Sequence, residues 1–97
     1  MEVTLRQFGT SIVTPERGKE VYDYLKTCYD KEEILVIDMG ETISMTTYCA
    51  RQIFGELYIE LGAVKFYNTI KLKNLSEELA LVIKMGIRKA IRELDLA

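Results

Sequence analysis

Val3 to Phe8 (VTLRQF) alternates apolar and polar residues, the period-two pattern of a half-buried strand. Gly9 interrupts it, and Ser11 to Val13 predicts a second short strand. Thr14-Pro15-Glu16 then spells a helix start: a hydroxyl N-cap, proline at the first helical position and an acid in the first turn. Val21, Tyr22, Leu25, Cys28 and Tyr29 follow at helical spacing on one face, with Lys19, Glu20, Asp23 and Lys26 on the other. Ile34-Leu35-Val36-Ile37 is a continuous β-rich apolar run and predicts a central strand covered on both faces.

A second helix is predicted from near Thr46 to just before Gly62, a natural residue to follow a helix end. Its buried stripe is Cys49, Ala50, Ile53, Phe54, Leu57 and Leu61. Ala63 to Tyr67 (AVKFY) alternates like another strand, and Asn68 to Lys73 is expected as a loop or short edge segment. Ser76 or Asn74 caps the last helix, which carries a regular stripe of Leu79, Val82, Ile83, Gly86, Ile87, Ala90, Ile91 and Leu94. Leu81 and Met85 lie off that stripe, as singly exposed apolar residues or as part of a partner or dimer face. The order ββαβαβα predicts an α/β domain in two or three layers, with four strands in a mixed sheet and about three helices packed on it.

Composition narrows the chemistry. Ninety-seven residues make one domain, spanning residues 1–97, and the 48% hydrophobic and 29% charged fractions are those of a globular chain. No apolar run is long enough to span a membrane, and MEVTLRQF lacks the basic-then-apolar layout of a signal peptide, so a cytoplasmic location is expected. Cys28 and Cys49 stand apart on helical stripes, and there is no histidine, so no zinc ligand set and no Ser-His or Cys-His pair exists. The chain has no GxxxxGK[ST] and no GxGxxG, so no nucleotide cofactor is expected either. Lys65, Lys71 and Lys73 interleave with Phe66 and Tyr67, as in single-strand nucleic-acid binders, but a net charge of −2 argues against such a partner.

The candidate site is the hand-over from strand to helix in ILVIDMGETISMTTYCARQIFGELY. Asp38 ends the apolar run at the edge where open α/β sheets bind ligands, and it equally suits bonding to loop N–H groups near Gly40 to Thr42. Ser44, Thr46, Thr47 and Tyr48 gather hydroxyls at the helix start. One of them capping the helix is the plain structural reading. A phosphate there would meet unpaired N–H groups and the positive end of the helix dipole, and would alter a docking surface without unfolding the helix.

These residues resemble the STAS-like family often called DUF4325, itself similar to the anti-sigma-factor antagonist (STAS) fold. The family pattern is an Asp ending a hydrophobic strand, a loop, two or three serines, then a helix bearing Ala and Phe-Gly. Here these are Asp38, then Thr46, Thr47 and Tyr48, then Ala50, Phe54 and Gly55, within a resemblance covering roughly residues 8 to 92. Where the family has acids after the Ala, this chain has Arg51-Gln52, and the Asp-Ser pair of true antagonists is absent.

The resemblance implies a non-enzymatic regulatory module that docks a protein partner. An ATPase-type kinase of the anti-sigma class is the implied partner, with Thr46 and Thr47 as phosphoacceptor candidates. Either Thr47 or Tyr48 falls on the phosphoacceptor place, and a bacterial Ser/Thr kinase would favour the former. The expected docking residues are Asp38, Tyr48, Arg51, Gln52 and Glu56, with Arg51 pairing an acid of the partner. The alternative is a constitutive structural or oligomerisation module without phosphorylation. An enzymatic reading, with Asp38 and the hydroxyls in a small-molecule site, lacks a base, a metal set and a nucleotide motif.

Overall fold

The computed structural model describes residues 1–31 and 34–96. The chain runs β1 (Glu2–Thr4), a 3-10 turn (Arg6–Phe8), β2 (Ser11–Ile12), α1 (Pro15–Lys31), β3 (Leu35–Asp38) and β4 (Ser44–Met45). A long helix occupies residues 47–61: α2 (Thr47–Ala50), a π turn (Arg51–Gly55) and α3 (Glu56–Leu61). Then come α4 (Ala63–Thr69), β5 (Ile70–Lys73) and α5 (Glu77–Leu96).

The predicted four-stranded mixed sheet is not what forms. The described residues form two small sheets, three strands in the order β1-β3-β5 and two in the order β2-β4, and each pairing among them is parallel. Gly9, at φ 83°, turns the chain away after the 3-10 turn. Strand β2 therefore pairs Ser11 with Ser44 and Ile12 with Met45 and does not extend the first sheet.

Strand β3 is central as expected, with Val3, Leu35, Ile37 and Ile70 buried on the core face. The opposite face is not covered by apolar packing. It carries Glu2, Lys71 and Lys73 exposed around a half-buried Val36, and Lys73 Nζ lies 3.3 Å from Glu2 Oε2 across the sheet.

The expected strand at Ala63 to Tyr67 is instead α4, so the described residues form four helical runs where about three were expected. Five alternating residues fit a strand or one side of a short helix equally well. Tertiary contacts decide: Phe66 is buried against Tyr58, ring centroids 5.5 Å apart, while Val64 is exposed. Gly62, at φ 83°, ends α3 by donating its N–H to Tyr58 O, and its own carbonyl accepts from Phe66 N to begin α4. The strand lies one step later, in the Ile70–Lys73 stretch expected as a loop or edge. Ile70 and Leu72 turn inward, and Lys71 and Lys73 turn outward.

Helix starts follow the expected chemistry. Thr14 Oγ1 accepts from Arg17 N at 3.2 Å, and Ser76, not Asn74, caps α5 by accepting from Leu79 N at 3.1 Å. On α5 the buried stripe is Leu79, Ile83, Gly86, Ile87 and Ala90. Leu94 is exposed.

Helix α5 crosses the long helix at its π turn, and small residues make the crossing close. A Cβ on Gly86 would stand 2.5 Å from Arg51 N and 2.6 Å from Ala50 C, both backbone atoms. A Cβ on Gly55 would stand 2.9 Å from Ala90 Cβ and 3.0 Å from Gly86 O. On an exposed helix Gly→Ala stabilises by roughly 1 kcal/mol. At this crossing Gly86→Ala has to push the helix backbones apart and should instead lower stability by about 1–3 kcal/mol. Urea denaturation checks the sign, and a raised midpoint would show that the crossing is slack.

Candidate functional site

The parallel pairing of β2 with β4 lays residues 10–13 beside 43–46. Ile43 N donates to Thr10 O at 2.7 Å and Thr46 N to Ile12 O at 3.2 Å. Ile12 and Met45 point into the core. Ser11 and Ser44 point out, with Ser44 Oγ donating to Ser11 Oγ at 2.9 Å. Exposed apolar residues lie along this ribbon and the helix start: Ile43 at the Thr10 end is 72% exposed, and Val13 and Tyr48 near Thr46 are 47% and 54% exposed. Sequence reasoning named Tyr48 and missed Val13 and Ile43. An isoleucine within a polar loop was the available signal, but the pairing that brings it beside residues 10–13 is tertiary.

Thr46 is the N-cap. Its backbone is extended (φ −77°, ψ 156°), and Oγ1 accepts from Cys49 N at 3.1 Å. That oxygen supports the helix start, leaving Thr47, half-buried at the first helical position, as the hydroxyl outside the cap. Cys49 is buried beneath, its thiol donating to Thr14 O at 3.3 Å, which ties α2 to the start of α1.

The remaining predicted docking residues have partners within the chain. Arg51 Nε donates to Glu93 Oε2 at 2.9 Å and Nη1 to Glu56 Oε2 at 3.0 Å. Arg51 and Glu56 therefore strap the π turn to α5. Arg51→Glu would put a third carboxylate beside Glu56 and Glu93, so its effect on docking could not be separated from its effect on helix packing. Gln52 Nε2 donates to Pro15 O at 2.9 Å, while its Oε1 is buried without a partner. Gly18 makes room for that amide, since a Cβ there would fall 1.9 Å from Gln52 Oε1.

Asp38 faces another loop. Its Oδ1 accepts from Asn74 Nδ2 at 3.0 Å and from Gly40 N at 2.9 Å. Asn74 holds a left-handed φ of 55° in the turn between β5 and α5. These two donors, the Asn74 amide first, hold the Asp38 carboxyl below the usual carboxylate range. Asp38 thus staples two turns and is not joined to the hydroxyls of Thr46 and Thr47.

The family described as STAS-like domain of unknown function (DUF4325) matches residues 17–80, about two thirds of the chain. The chain belongs to this STAS-like family. Curated proteins and solved structures give no match. The matched span runs from Arg17 in α1 to Ala80 in α5 and holds Asp38, Thr46, Thr47, Phe54 and Gly55. In this STAS-like domain, Phe54 is fully buried and Gly55 sits at the α5 crossing, so that pair is a packing feature. Among the described residues no acid, Cys or His cluster could hold a metal, and no helix is long and apolar enough to cross a membrane.

Thr46→Ala should cost about 1 kcal/mol by removing the cap, whereas Thr47→Ala should fall within about 0.5 kcal/mol of the parent. Guanidinium denaturation of the two variants tests the assignment. Asp38 has a lowered folded pKa, so its charge stabilises above the unfolded carboxylate pKa and that stabilisation is lost as pH falls through the folded value. Asp38→Asn should therefore melt below the parent at pH 7, and the gap should close in acid. A gap that persisted unchanged at pH 2 would assign the loss to shape and not to charge.

Proposed function

We propose that this STAS-like domain is a non-enzymatic regulatory module that docks a protein partner through the β2–β4 ribbon and the start of the long helix. The observation that carries this reading is the exposure of Val13, Ile43 and Tyr48 along a paired, capped scaffold that also bears surface hydroxyls. Isolated exposed apolar residues need no explanation. An exposed tyrosine and two exposed aliphatics on one ribbon and helix start have the composition of a binding surface, in which the aromatic supplies most of the contact energy.

The partner in this reading is a cytoplasmic ATPase-type kinase of the anti-sigma class, acting on Thr47. Thr47 is favoured over Thr46 because the Thr46 oxygen is engaged in the cap. A phosphate on Thr47 would add about −1.5 to −2 charges at the positive end of the helix dipole, so the helix would tolerate it while the apolar patch around it would not. Arg51, Gln52 and Glu56 act here as scaffold, and Asp38 holds the neighbouring turns. Self-association without phosphorylation is the second reading, favoured by the exposure of Leu81 and Met85 on α5.

The test is affinity capture of the tagged domain from its native lysate, with mass spectrometry of bait and prey. Tyr48→Ala and Ile43→Asp should each cut recovery of the prey at least about tenfold while leaving the melting temperature within a few degrees. Thr47→Glu should do the same if phosphate releases the partner. Bait that is unmodified and recovers only itself, at a mass on sizing columns that rises with concentration, would retire the kinase reading in favour of self-association.

A further inference from the structure

The outer side of β5 is an edge of the three-stranded sheet. There β5, α4 and α5 enclose an open cleft of about 490 Å³. Its apolar lining comes from Phe66, Ile70, Leu72, Ile83, Ile87 and Ile91. Lys84 and Arg88, one turn apart on α5, also line it, and among the described residues no carboxylate does. Both are exposed, and neither joins an ion pair among the described residues, although such pairs form elsewhere on the surface. In a chain of net charge −2 this is a local cationic rim on an apolar trough.

The backbone of β5 adds a second kind of complementarity. Lys73 O accepts from Met39 N at 2.8 Å, which turns the Lys73 carbonyl toward β3. Successive residues of a strand present their backbone groups to opposite sides. Leu72 therefore offers its N–H and C=O to the outer edge, directly above the cleft. The Ile70 N–H is already given to Phe66 O, so the open ladder begins at the Ile70 carbonyl and continues through Leu72.

We propose that this cleft receives an extended acidic segment of a partner protein, which adds to the sheet as a fourth strand beside β5. Every second side chain of such a segment, about 7 Å apart, would face the cleft, where apolar ones would fill the trough and a carboxylate among them would meet Lys84 and Arg88, while the intervening side chains would turn to the sheet face that carries Lys71 and Lys73. A second copy of this chain fits poorly, because a two-fold contact would set Lys84 and Arg88 of one copy against the same cations of the other. The site uses none of the residues of the Val13–Ile43–Tyr48 surface, so it stands or falls separately from the proposed function.

The probe is a fluorescein-labelled decapeptide with isoleucine and glutamate taking turns at its odd, cleft-facing positions and threonine at its even positions, titrated with the full chain and followed by anisotropy. Saturable binding is expected with a dissociation constant of roughly tens of micromolar, weakened about tenfold or more by the double variant Lys84→Glu/Arg88→Glu. Replacing glutamate by lysine in the peptide, or N-methylating alternate backbone nitrogens, should weaken it similarly, while Ile43→Asp should leave it unchanged. Absence of saturation up to about 1 mM peptide would overturn the proposal on affinity grounds. Equal binding of the lysine peptide would remove its electrostatic basis. Affinity that survives N-methylation would show that no strand is added. A dimer in sedimentation equilibrium that Lys84→Glu/Arg88→Glu dissociates would identify the occupant as a second copy and would also overturn it.

Discussion

The close crossing of α5 over the long helix is the constraint from which the rest follows. Gly86 lets α5 rest on the Ala50–Arg51 backbone, and Gly55 receives the Gly86 carbonyl and Ala90 in return. Any Cβ at either glycine would lie at or inside 3.0 Å of its neighbours. The Arg51 bridge to Glu56 and Glu93 lies over this contact, but it is partly exposed, and such pairs contribute about 0–1 kcal/mol. Forcing apart two packed backbones costs more, so the packing sets the geometry and the ion pairs follow it.

With the long helix held there, its N-terminus meets the β2–β4 ribbon at a defined place. Cys49 reaches the Thr14 carbonyl and Gln52 the Pro15 carbonyl, so α1 and α2 begin side by side. The Thr46 cap then fixes where the helix begins, and Tyr48 is left outside the core. The surface built this way is pre-organised, because the ribbon and helix are held by backbone bonds and the cap by the Thr46 side chain. Several polar residues that look functional in the sequence also have partners inside the chain, among them Asp38, Arg51 and Gln52.

The two surfaces draw on different chemistry. The ribbon and helix start present hydroxyls together with the exposed Val13, Ile43 and Tyr48, a setting that a phosphate would change sharply. The β5 edge presents backbone groups above an apolar trough with cations on its rim.

Much of this was legible in the amino-acid order because it is local. Thr14-Pro15-Glu16 and Thr46 announce helix starts through their own side chains, and Gly62 ends α3 by adopting a φ open to glycine. The stripe on α5 gave its buried face in all but the last turn, where Leu94 is exposed. Family membership was legible for the same reason: the pattern from Asp38 to Gly55 is contiguous. What only the tertiary structure decided is long-range. AVKFY is a helix because Phe66 finds Tyr58, and IKLK is a strand because Leu35 and Ile37 of β3 are there to pair with it. The four expected strands became two parallel sheets because a Gly9 turn steered β2 to a partner 33 residues away. Short segments carry too little periodicity to choose between conformations, so the choice falls to the contacts they make after the chain has folded.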